Sequence, residues 1–211
     1  MAYSVLVADD YRMIRQMFES VIERSEDFVL SGTAADAEEA VEHCSNHSVD
    51  LVLMDVVMGM GMDGIDAARL IKEKDPSVKI LLVTSMPEVS YIKRAKEIGI
   101  ESFWYKEVQE MPLLEVMRRT MAGESVYPAS IPEVWLGNTV STEFTERELD
   151  VLRELVGGAG NAEIAEKLGI SERCVKMHIT DMLGKTGFKS RLQLAVRARA
   201  GGLVINDSTV G

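Results

Sequence analysis

Val5-Leu6-Val7-Ala8-Asp9-Asp10 and Leu51-Val52-Leu53-Met54-Asp55 decide the fold of this chain. Each is a run of four apolar residues ending abruptly in carboxylate. Such a run is too short for a helix, and its near-continuous hydrophobicity suits a strand covered on both faces. Working outward, Phe28-Val29-Leu30, Ile80-Leu81-Leu82-Val83 and Phe103-Trp104-Tyr105 have the same character. The gaps between these runs carry helical spacing: Met13, Ile14, Met17, Phe18, Val21 and Ile22, then Ile65, Ala68 and Ile71, then Val89, Ile92 and Ala95. A last helix is expected to start near Pro112 and to end before Gly123. The alternation predicts an α/β unit over residues 1–123, a five-stranded doubly wound parallel sheet.

The rest of the chain has a different rhythm. Residues 124–142 contain Pro128 and Pro132 and no periodicity, and they read as a linker. Beyond it, Phe144 to Val156, Asn161 to Leu168, Ser171 to Lys185 and Ser190 to Ala200 have helical patterns separated by glycine pairs and turns, which predicts a small all-α, four-helix domain over residues 143–211. A length of 211 residues suits two modest domains, and 46% hydrophobic with 27% charged residues is ordinary for a soluble protein. The first residues lack the basic start and long apolar stretch of a signal peptide, and no run approaches membrane-spanning length, so a cytoplasmic location is expected. Cys44 and Cys174 have no redox or metal spacing and read as free thiols.

Charge separates the halves as well. The net −11 falls wholly on residues 1–140, with 13 Lys and Arg against 24 Asp and Glu, whereas residues 141–211 carry 10 of each. Within that neutral half, Arg173, Lys176, Lys185, Lys189, Arg191, Arg197 and Arg199 face only Glu172 and Asp181 between residues 171 and 199. A local basic stretch of this kind is the footprint of a duplex-binding surface even in an acidic protein.

In a parallel α/β sheet, ligands sit beyond the carboxyl ends of the strands. Asp9 and Asp10 follow the first strand, Asp55 the third, Thr84 ends the fourth, and Lys106 follows the fifth. Three carboxylates converging in a cleft repel one another unless a cation lies among them, and oxygen ligands of this kind favour Mg2+. A hydroxyl and an ammonium across the same cleft suit a phosphoryl group carried on one carboxylate.

These positions carry a resemblance. Ala8-Asp9-Asp10, Leu53-Met54-Asp55-Val56, Met62-Asp63-Gly64-Ile65-Asp66-Ala67, Val83-Thr84-Ser85 and Phe103-Trp104-Tyr105-Lys106 resemble, in order, the receiver domains of two-component response regulators, which have a flavodoxin-like fold. The resemblance implies that Asp55 is the phosphoacceptor, that Asp9 and Asp10 hold Mg2+ together with Asp55 and the backbone carbonyl of Val57, that Thr84 contacts the phosphoryl group and that Lys106 pairs with it. It makes Phe103 the switch aromatic. Two features depart from the family pattern: Gly59 stands where a proline is usual, and the segment from Asp55 to Gly64 is one residue longer. Two glycines and no proline should leave that loop more mobile.

In the second half, Asn161 to Leu168, a Gly169-Ile170 turn and the helix opened by Ser171 and Glu172 make a helix-turn-helix. Val175, Ile179, Met182 and Leu183 are expected to face inward, leaving Arg173, Cys174, Lys176, Met177 and Thr180 outward with His178 between the faces. The run Phe144 to Leu152, with Asn161 to Ala165 and Ser171 to His178, resembles the LuxR-type DNA-binding domain; joined to a receiver it is similar to the NarL subfamily of transcription regulators. The resemblance implies that Lys176 enters the groove, His178 approaches phosphate and Lys185 anchors the DNA backbone, with Arg173 in the same footprint. Cys174 replaces a usual threonine, and Thr186 a usual leucine.

The expectation is therefore a transcription regulator controlled by phosphorylation of Asp55, with a sensor histidine kinase and double-stranded promoter DNA as partners and a homodimer formed on phosphorylation or on DNA. Its only enzymology would be self-catalysed phosphoryl transfer and hydrolysis. A degenerate receiver that dimerises and binds DNA without phosphorylation is the alternative, and the altered loop after Asp55 is the feature in its favour. A phosphohydrolase with an aspartate nucleophile would want a second acid/base carboxylate where Val57 stands.

Overall fold

The computed structural model describes residues 2–58, 61–85, 89–106, 111–130, 133–201 and 203. Residues 1–85 and 91–129 form one compact unit, and residues 130–211 belong to a second.

In the first unit, β1 (Tyr3–Ala8), β2 (Phe28–Ala34), β3 (Leu51–Asp55), β4 (Lys79–Thr84) and β5 (Ser102–Tyr105) build one sheet in the order β2-β1-β3-β4-β5, every pair parallel. Helices α1 (Arg12–Glu23), α2 (Ala37–Asn46), α3 (Gly64–Lys74), α4 (Val89–Glu97) and α5 (Leu113–Met121) alternate with the strands. Side chains alternate across a sheet, so a strand apolar at every position needs cover on both sides. Phe18 and Ile22 of α1 and Leu113, Val116 and Met117 of α5 pack with Val5, Val7, Leu51, Leu53, Leu81, Val83 and Trp104 on one face. Leu6, Ala8, Val52 and Met54, wholly buried, alternate with these, and α2 and α3 lie against the sheet at strands β1 to β4. The strand order reverses between β1 and β3, and the carboxyl ends of those two strands open a crevice there.

The second unit holds α6 (Glu146–Val156), α7 (Asn161–Leu168), α8 (Glu172–Thr186) and α9 (Arg191–Ala200). Leu149, Val151, Leu152, Leu155, Ile164, Val175, Ile179, Met182, Leu194 and Ala198 share its core. Thr145 and Glu148 close a capping box at the start of α6, and Ser171 and Ser190 cap α8 and α9 through their side chains.

The segment 124–142, read from sequence as a linker, is more structured than that. Val126 bridges to Ser102 beside β5, while β6 (Trp135–Leu136) and β7 (Thr139–Val140) form an antiparallel hairpin in the second unit. Leu136 is buried in the helical core, and Asn138 N donates to Thr186 O at 3.0 Å. Two-residue strands leave no periodicity to read, which is why the hairpin was not expected. Among the described residues, no helix is long and apolar enough to cross a membrane.

Candidate functional site

The crevice at the ends of β1 and β3 is built from the backbone outward. β1 delivers Asp9, wholly buried, and β3 delivers Asp55, only 6% exposed. Ligand oxygens of Asp9, Asp10 and Asp55 lie within 4.8 Å of one another. Lys106, just past β5, places its ammonium 2.6 Å from Asp9 Oδ2 and 3.1 Å from Asp55 Oδ2. The Lys106 backbone amide donates to Thr84 O at 2.9 Å, which fixes the ends of β4 and β5 to each other. Thr84 is wholly buried at this end of β4.

One ammonium against three carboxylates leaves the crevice negative. Burial pushes the Asp55 carboxyl up to about 7; Lys106 opposes the rise, while Asp9 and Asp10 add to it. Burial alone would lower the Lys106 ammonium, but Asp55 and Asp9 outweigh it and hold its pKa above the ordinary value. A hard divalent cation bound by oxygen would relieve the residual repulsion, and the donor set fits Mg2+. Val57 lies two residues beyond Asp55 at the same strand end and is half-buried.

Several side chains hold the crevice in shape. Tyr11 N donates to Asp9 Oδ1 at 2.9 Å, and Tyr11 occupies the N-cap position of α1. Arg15 reaches back from α1: its Nη1 donates to the carbonyls of Asp9 at 2.6 Å and Asp10 at 3.2 Å. Gly64 opens α3 with its amide on Val56 O, and a Cβ there would stand 1.8 Å from Asp55 O, so only glycine allows this approach. Gly59 lies outside the described residues. Gly61 adopts φ +132° beside the Glu38 carboxylate, and Met62 N donates to Glu38 Oε1 at 3.3 Å. Asp63 caps α3 and pairs with Arg94 of α4 at 2.7 Å. Phe103 is buried, edge-on to Tyr105 with centroids 5.2 Å apart.

In the second unit, Gly169 ends α7 in the left-handed conformation and Ile170 leads to the Ser171 cap of α8, so the two helices are joined by a tight turn. Val175, Ile179, Met182 and Thr186 are the buried side of α8; Arg173, Lys176, Met177 and Thr180 are exposed, and Cys174 and His178 lie between. Lys185, one-third exposed, is engaged inside the unit: its Nζ donates to Glu148 Oε2 at 2.7 Å and to Glu143 O at 2.9 Å. Thr186 is buried where an apolar residue was usual, and its Oγ1 satisfies itself on Met182 O at 2.8 Å. Cys44 and Cys174 are free thiols.

The family profile of the response regulator receiver domain matches residues 5–118, more than half of the chain. The chain belongs to the response regulators. A second profile, bacterial regulatory proteins of the luxR family, matches residues 142–198, which makes the second unit a LuxR-type helix-turn-helix domain. The response regulator is 31% identical over 204 residues to the response regulator protein VraR of Staphylococcus epidermidis, covering 94% of this chain and 97% of that one, and equally similar to VraR of Staphylococcus aureus. Among solved structures it resembles a LuxR-family two-component response regulator from Aurantimonas sp. at 26% identity and TM-score 0.57, over 63% of this chain and 91% of that chain. RcsB from Salmonella enterica serovar Typhimurium, bound to promoter rprA in the presence of phosphomimetic BeF3-, shares the fold at 19% identity and TM-score 0.65, over 94% and 99% of the two chains. The structure thus brings together Asp9, Asp10, Asp55 and Lys106 with Thr84 at the neighbouring strand end. Sequence reasoning missed two contributors in this response regulator, Arg15 and Glu148. Arg15 left one signal, a helical arginine shortly after the carboxylate pair; Glu148 left none beyond its capping position.

Proposed function

We propose that this response regulator accepts a phosphoryl group on Asp55 from a sensor histidine kinase and thereby changes the binding of its LuxR-type domain to promoter DNA. The observation that carries the reading is the convergence of Asp9, Asp10 and Asp55 within 4.8 Å, with the Lys106 ammonium on both Asp9 and Asp55.

Asp55 Oδ attacks phosphorus in line; an oxygen–phosphorus bond forms, the bond from phosphorus to the donor's imidazole nitrogen breaks, and the electron pair leaves with the imidazole. Asp9, Asp10, Asp55 and the Val57 carbonyl would hold Mg2+, which when bound supplies positive charge to the transferring oxygens. Lys106, whose ammonium is 3.1 Å from Asp55 Oδ2, would pair with a phosphoryl oxygen, and Thr84 at the end of β4 would donate its hydroxyl to another. Phe103 is the aromatic that changes place with this event. The protein's part is position and charge; hydrolysis of the acyl phosphate is the only other reaction.

Arg173 and Lys176 are the exposed donors of α8 that face the major groove, with His178 at the phosphate edge of the same helix. The phosphorylated form binds paired half-sites as a homodimer; the receiver is assigned to residues 1–123, and the DNA-binding domain assigned to 143–211 takes in the β6–β7 hairpin ahead of it. A cytoplasmic location accords with both partners. Incubation with acetyl phosphate and Mg2+ should add one acid-labile phosphoryl mass to the wild type and none to Asp55→Asn. Equal labelling of that variant would place the acceptor elsewhere than Asp55, and no labelling of wild type by small donors or kinases would favour a receiver that works without phosphorylation.

A further inference from the structure

Past Gly123 the chain turns back along β5. Ser102 and Val126 form a parallel bridge; Phe103 N donates to Val126 O at 2.9 Å, and Val126 N donates to Ser102 Oγ at 3.1 Å. Tyr127 then fastens the segment from a side chain. Its hydroxyl donates to Ile100 O at 2.8 Å, and its ring stacks on Phe103 with centroids 6.3 Å apart and planes at 23°. Lys96 of α4 holds its ammonium 4.8 Å from the same ring. Burial, with Glu101 nearby, pushes the Tyr127 phenol up to about 12, so the hydroxyl remains a donor at neutral pH.

Phe103 also meets Tyr105 edge-on, and the strand partner of Tyr105 is Thr84 of the acidic crevice. Three rings therefore run in contact from the β5 residue paired with Thr84 to the segment after α5: Tyr105, Phe103 and Tyr127. Packed interiors give little room for one ring to move alone, so a shift of Phe103 must be met by the ring stacked on it.

We propose that Tyr127 is a positioning residue that docks the segment after α5 onto Phe103 and releases it when a phosphoryl group arrives in the crevice and Phe103 moves. The inference rests on Asp55 as acceptor and Phe103 as the mobile aromatic. It assigns the connecting segment an active part, because residues 124–130 report the state of the crevice through one aromatic contact.

Hydrogen exchange of the 124–130 peptide in the full chain, with and without acetyl phosphate and Mg2+, tests this, and the intact mass of each sample reports the phosphoryl group. Phosphorylation should speed wild-type exchange there by roughly two- to tenfold, the range expected for losing one ring stack. Tyr127→Phe keeps the ring and should keep the response. Tyr127→Ala should exchange fast in both states. Tyr127→Leu, which fills the site without a stack, should lose the response as well and serves if the alanine variant fails to fold. Phosphorylated wild type whose exchange is unchanged or slower, or a Tyr127→Leu that responds like wild type, overturns the inference alone. Absence of the phosphoryl mass overturns the acceptor reading and this inference with it.

Discussion

Lys176 and Lys185 carry the same charge on the same helix, yet their surroundings give them different work. Lys176 is exposed on the outward side of α8, with no acidic side chain paired to it among the ion pairs of the described residues. Its replacement by alanine should lose ~1–3 kcal/mol of specific binding if it reads a base, with relaxed preference at that base, as competition titrations on selected duplexes would show. Lys185 instead neutralises Glu148, whose side chain is 5% exposed. Removing that ammonium leaves a carboxylate short of partners; with Lys185 itself one-third exposed, the cost should be about 1–2 kcal/mol of stability, read by denaturant unfolding, with no change in base preference. Burial pushes the Glu148 carboxyl up, but the bonds from Lys185 and Thr145 outweigh it and hold its pKa below the ordinary 4.5. The stabilisation is therefore complete above pH 4.5 and lost as pH falls through the lower folded value, and Lys185→Ala should flatten that acid limb. Asp9, Asp55 and Lys106 were legible in sequence because each directly follows an apolar strand run. Glu148 was not, because its burial comes from α8, whose contact with α6 no local pattern reveals.

At the scale of elements, α1 does more than cover the sheet. It has no side-chain cap and no acidic residue in its first turn, and Arg15 in its second turn reaches back to the strand end. By donating to two successive carbonyls, Arg15 fixes the peptide units whose side chains are the candidate metal ligands. Arg15→Ala should weaken Mg2+ binding by roughly 10- to 100-fold, as loss of supporting contacts around metal ligands does. Both bonds come from one nitrogen, Nη1, so a lysine whose shorter side chain reaches toward the same point should restore part of it. Calorimetric titration with Mg2+ alongside metal-free melting separates this from a general loss of fold: equal affinity for Mg2+ in wild type and variant would rule out the role. The five βα units were plain because strands apolar throughout and amphipathic helices each announce their period. The β6–β7 hairpin was hidden because its register depends on Leu136 entering the helical core and on Asn138 meeting Thr186, contacts made only when the second unit has formed.

For the whole molecule, acidic and basic functions are divided between the units. The first unit holds nearly all of the charge deficit and a crevice where Asp55 is buried with a raised pKa; the second is close to neutral, with exposed Arg173 and Lys176 on one helix. The division suits a chain in which one event, a phosphoryl group on the first unit, governs a separate binding surface on the second. Within the first unit, Val126 and Tyr127 hold the chain after α5 against β5. The most direct measurement is binding of the full chain to duplexes selected from a random pool by the phosphorylated protein. Titrations at fixed salt should compare wild type and Asp55→Asn, each with and without acetyl phosphate and Mg2+. The account predicts that acetyl phosphate tightens binding by the wild type and leaves Asp55→Asn at the untreated level; wild-type affinity that stays the same while the phosphoryl mass is present on Asp55 would contradict it.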